Sequence, residues 1–162
     1  MKLIYFDVNS AVNVHDKIIK ISGGHAGVKD LGIFESILAH IQNDDYYPSF
    51  EEKLTHLVFA VNKSHCFSDG NKRTSIGLGS FFLIVNGLDV FADKFIIEME
   101  NIAVAVADNI IEKDLLEEII FSLINDEEYE EALQIKIIDA LMQVQVEEET
   151  YNLGLDFFKD IF

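Results

Sequence analysis

The sequence predicts an all-α protein, a compact helical bundle built around one buried central helix. The run 74–85 is apolar on nearly all sides and ends at Asn86-Gly87, and a helix without a polar face belongs in a core. Apolar residues recur at helical spacing in the segments on both sides of this run. With 162 residues, 49% of them hydrophobic, the chain is long and apolar enough to bury one substantial core.

Capping residues and apolar stripes predict three helices before the central one. Side chains of Ser, Asp and Asn accept hydrogen bonds from the N–H groups of a first helical turn. A Ser followed three residues later by Glu forms a reciprocal capping box. The three predicted helices, each with its cap, are 10–21 after Asn9 or Ser10, 32–42 after Asp30, and 50–63 after Ser49 with Glu52.

The rest of the chain is predicted to be mainly helical as well. The short runs 3–6 and 88–91 are expected to lie side by side as two strands, although the first could also be an N-terminal arm. The predicted helices after the central one are 94–110, 114–124, 129–146 and a last one at 151–161, which follows the acidic run 147–149. This tail is expected to complete the bundle; a dimer contact or a lid is the alternative.

The charge is distributed unevenly along the chain. Of a net charge of −17, residues 1–88 carry nine acidic and eight basic side chains, whereas residues 89–162 carry 20 acidic and four basic ones. Such an acidic half repels nucleic acid, so direct binding of DNA or RNA is not expected. The acidic excess is either a solvated helix face or a surface for a basic partner.

Cysteine content and hydropathy bear on the compartment. A single cysteine, Cys66, excludes an intrachain disulfide framework and fits a reducing environment. The sequence contains no evident signal peptide and no run of the ~20 apolar residues that a bilayer span needs. We therefore expect a cytoplasmic protein without a membrane partner. A zinc site is not expected either, because Cys and His do not cluster.

A dense polar motif stands directly before the central helix, where residues 65–73 read His-Cys-Phe-Ser-Asp-Gly-Asn-Lys-Arg. The first N–H groups of a helix have no acceptor within it, and the dipole is positive there, which favours a phosphate. Gly70 would let a ligand approach the backbone closely. Lys72 and Arg73 place two cations at an end where the dipole disfavours them, and a bound anion would resolve that conflict.

Four further residues of the motif have distinct expected roles. His65 is a candidate general base. Asp69 is a candidate ligand of Mg²⁺, which usually takes one or two carboxylates together with substrate phosphates. Phe67 is expected to anchor the motif to the core, and Cys66 to be an ordinary side chain.

The motif resembles the signature of the Fic/Doc superfamily, whose Fic form is H-x-F-x-[DE]-G-N-G-R-x-x-R. Lys72 stands where the Fic form has its second Gly, and Ile76 where it has its final Arg. Both departures are similar to the Doc branch, the death-on-curing toxins, which carries N-K-R. Further matches to Doc-like chains lie upstream at His15, Asp16, Gly23, Gly24, Gly27, Asp30, Gly32 and Glu35. The resemblance divides the chain into a catalytic domain at 1–123 and an acidic helical extension at 124–162, packed on the same domain.

The resemblance implies an enzyme that uses ATP and Mg²⁺ to modify a protein hydroxyl. His65 would act as the base, and Asp69 would hold the metal or orient the attacking group. The residues implied to bind the nucleotide phosphates are Gly70, Asn71, Lys72 and Arg73. Fic-type enzymes transfer AMP, whereas in Doc-type chains the nucleotide is inverted and the γ-phosphate moves. Lys72 and Ile76 favour the second reaction, that of a protein-hydroxyl kinase.

The resemblance also implies partners. The target of the Doc branch is translation elongation factor Tu, whose modification would block translation. The inhibitory motif [ST]-x-x-x-E-[GN] of many Fic enzymes is missing, because Ile96 stands four residues before Glu100-Asn101. Control is therefore expected from a small antitoxin protein in trans, with a segment that folds on binding. The alternatives are a Fic-type AMP transferase and a catalytically silent Fic-fold module that binds protein.

The glycine-rich loop, residues 22–29, is the last feature that the resemblance interprets. It corresponds to the flap that docks a target segment by β-strand addition, and the fold could then include a small β-hairpin. A plain turn between two helices is the alternative.

Overall fold

The computed structural model describes residues 2–144 and 155–162, which form eight α-helices, one short 3-10 helix and no β-strand. The predicted all-α fold class is therefore confirmed, without the β-hairpin that the resemblance allowed. The helices are α1 Val8–Ser22, α2 Leu31–His40, α3 Phe50–Ser64, α4 Asn71–Val85, α5 Ala92–Ala107, α6 Lys113–Ile124, α7 Glu131–Gln143 and α8 Leu155–Lys159, with the 3-10 helix at Asp89–Phe91.

The central helix of the bundle is α4, which packs against α1, α3 and α5. Nine of its 15 residues are buried, so it has little polar face, as predicted. A Cβ atom at Gly77 would lie 2.8 Å from Ile18 Cδ1 of α1, and one at Gly79 would lie 2.6 Å from Phe95 Cζ of α5. Close helix packing thus offsets the cost of about 1 kcal/mol that each Gly carries relative to Ala in a helix.

The capping predictions are confirmed for α2 and α3 and wrong for α1. Asp30 Oδ1 accepts a hydrogen bond from Ile33 N at 2.9 Å. Both bonds of the predicted capping box at Ser49 are present. α1 is capped by Asp7, whose Oδ1 accepts from Ser10 N at 2.8 Å. Ser10, a predicted cap, therefore lies in the first turn, and the helix begins at Val8, two residues earlier than the expected start at residue 10.

The prediction that segments 3–6 and 88–91 pair as strands is wrong. The backbone of Ile4 bonds to a side chain instead, because Ile4 N donates to Asn86 Oδ1 at 2.8 Å and Asn86 Nδ2 donates to Ile4 O at 3.0 Å. Gly87, with a φ of 73°, turns the chain after α4 into the 3-10 helix. The first segment is thus an extended N-terminal arm, held by the C-cap residue of α4.

The described part of the predicted extension lies on the same bundle, because α7 and α8 both pack against α5. Phe158 of α8 is fully buried, and Lys17 Nζ donates to Ile161 O at 3.2 Å. The acidic run 147–149 and the first part of the helix predicted at 151–161 lie outside the described residues. The domain boundary after residue 123 stays a prediction.

Within the described residues, no helix is long and apolar enough to cross a membrane. The cytoplasmic location and the exclusion of nucleic acid stay predictions.

Candidate active site

The motif loop, defined here as residues 65–70, connects α3 to α4. His65 ends α3 with left-handed dihedrals (φ 50°, ψ 37°), and Gly70, also left-handed (φ 73°, ψ 21°), is the N-cap of α4. Between them Cys66 and Phe67 are buried, whereas the side chains of His65 and Ser68 are exposed. The loop therefore turns sharply at both ends and stands on an apolar base, so its polar side chains lie at the surface. Burial raises the pKa of the Cys66 thiol, which fits the ordinary role predicted for it.

A stacked pair of rings fixes the loop to the core. The rings of Phe67 and His15 lie face to face with centroids 4.0 Å apart, and Phe34 meets Phe67 edge-on at 4.9 Å. His15 is fully buried in α1, and its Nε2 donates to the backbone oxygen of Asp69 at 2.9 Å. The anchoring role predicted for Phe67 is confirmed.

His15 was absent from the predicted site residues, although it positions the motif loop through contacts to Phe67 and Asp69. Its ring supports Phe67, and its Nε2–H holds the Asp69 carbonyl. The available sequence signal was the upstream His15-Asp16 match to Doc-like chains, and pattern alone did not tie it to the motif.

Asn71, in the first turn of α4, shapes the loop from the other side. Its Oδ1 accepts from Phe67 N at 3.0 Å, and its Nδ2 donates to Phe67 O at 3.1 Å. Both polar atoms of the side chain are thus engaged with the loop backbone. Of the polar groups of Asn71, the backbone N–H is therefore the one available for the predicted phosphate contact.

The Asp69 carboxylate is held by three donors. Its Oδ1 accepts from Gly70 N at 2.6 Å, and its Oδ2 accepts from His25 N at 3.2 Å. Arg73 Nη2 lies 3.5 Å from Oδ1. Burial would raise the pKa of Asp69, but the backbone hydrogen bonds from Gly70 and His25 and the charge of Arg73 together lower it. The carboxylate is therefore ionised at neutral pH.

Arg73 bridges α4 to the end of α1. Its Nη1 donates to Gly23 O at 2.8 Å and to Ser22 Oγ, while Nη2 faces Asp69. Its side chain is only 13% exposed. The planar guanidinium thus joins three parts of the site, which a point charge such as a lysine ammonium could not do.

The glycine-rich loop lies directly against the motif loop. Val28 and Phe67 form one antiparallel β-bridge, and Ser68 N donates to Gly27 O at 3.0 Å. Gly24, with a φ of +114°, is so close that an added Cβ would lie 2.5 Å from Asp69 Oδ2. The loop is therefore more than a plain turn, because it covers one side of Asp69. Its predicted docking of a target segment stays a prediction.

The remaining predicted residues form the open mouth of the site. His65 and Lys72 are exposed, and the His65 ring has no hydrogen-bond partner in the described part of the chain. The first turn of α4 holds no acidic residue, and no side chain caps it. The N–H groups of such a turn have no acceptor within the helix, so this end of α4 is suited to an anion.

A metal ion would need ligands from outside the chain. Nowhere in residues 2–144 and 155–162 do three His, Cys, Asp or Glu side chains group so that they could hold one. The ionised Asp69 fits a Mg²⁺ that takes most of its oxygens from a bound nucleotide and water, which is the usual manner for this ion. A carboxylate has about four lone-pair sites, so its contacts to Gly70, His25 and Arg73 leave capacity for such a ligand.

Comparisons with known proteins identify the family. A sequence model of the Fic/DOC family matches residues 5–83. The chain is 37% identical over 84 residues to the protein named protein kinase doc of Escherichia phage P1, an alignment that covers 49% of this chain and 66% of that protein. It is 32% identical over 89 residues to the protein named toxin Doc of Mycolicibacterium smegmatis, covering 52% of this chain and 68% of that protein. The chain thus spans about two thirds of the length of these relatives. The residues that the family model matches contain the whole motif loop. On its sequence and on these matches, the chain belongs to the Fic/Doc family.

Proposed function

We propose that this protein is a Doc-like toxin that transfers a phosphate group from ATP to a hydroxyl group of a target protein. The observation that carries the proposal is the uncapped N-terminus of α4, which lies beside an exposed His65 and an ionised Asp69. The names of two relatives, a protein kinase and a toxin, support the same reaction and role.

The phosphates of the nucleotide would bind at the start of α4. The backbone N–H groups of Asn71, Lys72 and Arg73 face the end of the helix, where the dipole favours negative charge. The side chains of Lys72 and Arg73 add two positive charges. Since Arg73 is fixed by Ser22 and Gly23, its charge is in place before the ligand arrives, and electrostatic stabilisation then needs little reorganisation.

Asp69 would hold Mg²⁺ through its ionised carboxylate, and the ion would neutralise charge on the phosphates. The position of this carboxylate is set by Gly70 N, His25 N and the His15 contact to its backbone oxygen. The chain therefore contributes a fixed orientation, which reactions that depend on in-line geometry require.

His65 would take the proton of the attacking hydroxyl. As that oxygen bonds to the γ-phosphorus, the bond from this phosphorus to the β,γ-bridging oxygen breaks and ADP leaves with the electron pair. The exposed ring of His65 can reach a hydroxyl of another protein, and general-base catalysis of this kind contributes about 10²–10⁴ in rate.

Ile76 supports transfer of phosphate rather than AMP. This residue is 4% exposed and belongs to the hydrophobic core, so the chain places no second guanidinium one turn after Arg73. The side-chain cations at this end of α4 are then those of Lys72 and Arg73, the pattern of the Doc branch. Transfer of AMP, with pyrophosphate as the leaving group, is the alternative reaction at the same site.

Two protein partners follow from the same proposal. The target would be translation elongation factor Tu, and the regulator would be a small antitoxin protein that acts in trans, because the sequence carries no inhibitory motif of its own.

Intact-protein mass spectrometry tests the proposal. Elongation factor Tu is incubated with Mg-ATP and either this protein or its His65→Asn variant; Asn tolerates the left-handed backbone of position 65, so the variant removes only the base. We expect the mass of one phosphate to be added by the wild type and not by the variant. The mass of one AMP would assign the alternative reaction. If the mass of elongation factor Tu does not change but another protein of a translation extract gains phosphate, the proposed target is wrong and the proposed reaction stands.

A further inference from the structure

An open groove of about 570 Å³ lies between α6 and α7, and no residue of the motif loop lines it. Five carboxylates line it, those of Asp114, Glu117, Glu118, Glu127 and Glu130. The one cation among its lining residues is Lys136, whose Nζ lies 3.0 Å from both carboxylate oxygens of Glu118. The groove is therefore strongly negative, and the four other carboxylates have no hydrogen bond or ion pair within the described residues.

The floor of the groove is apolar and incompletely covered. Phe121 is 48% exposed although it lies between two helices, whereas Leu133 beside it on α7 is 7% exposed. Ser122 is only 8% exposed, and its hydroxyl makes no hydrogen bond to any residue that the structure describes. Because residues 118, 121 and 122 lie on one face of α6, the hydroxyl and the ring share the same wall of the groove.

These features distinguish the groove from a solvated acidic surface. On a solvated acidic surface the carboxylates lie among other charged groups. Here they surround a half-exposed aromatic ring, Phe121, and the hydroxyl of the largely buried Ser122, which has no partner among the described residues. A metal ion does not explain them, since no three of the carboxylates group around one point. A nucleic acid would be repelled by the charge.

We propose that this groove binds a basic amphipathic segment of a partner protein. Lys or Arg side chains of the segment would pair with Glu117, Glu127 and Glu130 at the rim, while its apolar side chains would cover Phe121. A polar group of the segment would bond to Ser122 Oγ. Aromatic anchors that are covered on binding, surrounded by charges that steer association, are the usual anatomy of such an interface. The proposal does not depend on the phosphate-transfer reaction.

The test uses the full chain and a labelled model peptide of about 15 residues with Lys and Leu at helical spacing, long enough to form a helix when bound. Fluorescence anisotropy measures its Kd at low and at physiological ionic strength, beside a peptide of equal charge in which Ser replaces every Leu. The groove variants are Glu117→Gln with Glu130→Gln, and Phe121→Ser. The matched control is Glu35→Gln with Asp45→Asn, which removes the same charge at exposed positions outside the groove.

We expect each groove variant to weaken binding of the amphipathic peptide about tenfold, and the control to leave it within about twofold, since distant exposed charges are screened. The Ser peptide should bind weakly to all of them. Equal losses in groove variant and control, or equal binding of both peptides, would reduce the effect to general attraction and overturn the proposal. Sedimentation that shows a wild-type dimer broken by Phe121→Ser would assign the groove to a second copy instead.

Discussion

The motif loop and the α6–α7 groove are both polar, but they are built in opposite ways. At the motif loop, Asp69 accepts hydrogen bonds from two backbone N–H groups and faces Arg73, and His15 holds its carbonyl. At the groove, four of five carboxylates have no partner within the described residues, and Glu118 pairs with the exposed Lys136. The motif loop fixes the charge of Asp69 through several contacts, whereas the groove leaves four of its five carboxylates without a partner among the described residues.

The difference indicates what each region can do. The proposed transfer of a phosphoryl group would depend on geometry, so residues that carry it must be held within a few tenths of an ångström by their neighbours. Attraction of a basic segment depends on summed charge and a complementary surface, and it tolerates mobile side chains. Small changes should therefore have large effects at the motif loop and small effects at the groove, which three of the four predictions below examine.

The largest effect is expected from Arg73→Lys. Lysine keeps the charge but cannot bond at once to Ser22 Oγ, Gly23 O and Asp69 as the guanidinium does. We expect kcat/KM for phosphate transfer to fall about 10²-fold or more, the size of a lost preorganised donor. Steady-state kinetics with a purified target measures it. A rate near the wild type would show that charge alone suffices at this position.

The second prediction compares alanine variants of Gly23 and Gly24, which separates the effect of steric contact from that of backbone strain. Gly23 and Gly24 both have positive φ, 84° and 114°, but an added Cβ would meet nothing within 4 Å at Gly23 and would lie 2.5 Å from Asp69 Oδ2 at Gly24. Both Ala variants should lose about 1 kcal/mol of stability through backbone strain.

Only Gly24→Ala should also displace Asp69, and we expect it to reduce the transfer rate about tenfold relative to Gly23→Ala, since small misplacements of reacting groups are costly. Denaturant unfolding and kinetics on the two variants give both quantities. Equal rates for the pair would mean that the glycine-rich loop can move away from Asp69 without consequence.

The sequence predicted contacts between neighbouring residues better than contacts between distant ones. The caps at Asp30 and Ser49 were predictable because each side chain bonds a backbone group three residues away. The pairing of segments 3–6 and 88–91 was predicted wrongly, because the competing partner of Ile4 is the Asn86 side chain, 82 residues distant. A hydrogen bond between residues three positions apart can be recognised from a local sequence pattern, whereas a bond between residues 82 positions apart cannot.

The same distinction holds within the site. The motif pattern identified the candidate residues, but it gave none of the contacts that position them. His15 is 54 residues before Asp69, and Ser22 is 51 residues before Arg73. Asn71 was predicted to bind phosphate, yet its side chain bonds to the loop backbone at Phe67. Residue type and spacing therefore led to a prediction of the chemistry, which stays a prediction, and only the fold shows how the candidate groups are held.

A moderate effect is expected at His56 of α3, where burial disfavours the charged form of the ring. Burial and the nearby positive charge of Lys113 lower the pKa of His56 from its ordinary value of 6.5 to about 4. His56 Nδ1 lies 2.9 Å from Tyr47 Oη and 3.2 Å from Lys113 Nζ, and its lone pair can accept a hydrogen bond from either donor only in the neutral ring.

Between pH 6.5 and 4 the unfolded chain therefore binds a proton that the folded chain does not, so the free energy of unfolding falls as the pH is lowered through this range. Because the ring is partly exposed, we expect this residue to account for a loss of about 1 kcal/mol. Urea unfolding at pH 7 and pH 4.5 measures it, and His56→Gln, which keeps an acceptor, should remove that part of the difference. An unchanged pH dependence in the variant would assign the loss to other groups.

The smallest effects come from one chemical change made in both regions. Asp69→Asn and Glu117→Gln each replace a carboxylate by an amide of the same shape. At Asp69 the charge receives hydrogen bonds from Gly70 N and His25 N and faces Arg73, so we expect a loss of about 1 kcal/mol in the free energy of unfolding. At Glu117 the charge has no described partner and faces other carboxylates of the groove, so the change should stay within about 0.5 kcal/mol and tend toward stabilisation.

The dependence on ionic strength also distinguishes Asp69→Asn from Glu117→Gln. Added salt screens the repulsion among exposed carboxylates, so any gain in Glu117→Gln should shrink as ionic strength rises. The loss in Asp69→Asn, which comes mainly from direct hydrogen bonds to backbone N–H groups, should persist. Denaturant unfolding of both variants at low and high salt measures the two trends. A loss at Glu117 as large as that at Asp69, and independent of salt, would mean that the groove fixes its charges as firmly as the motif loop does. The groove would then be a structural element of the bundle and not a surface kept open for a partner.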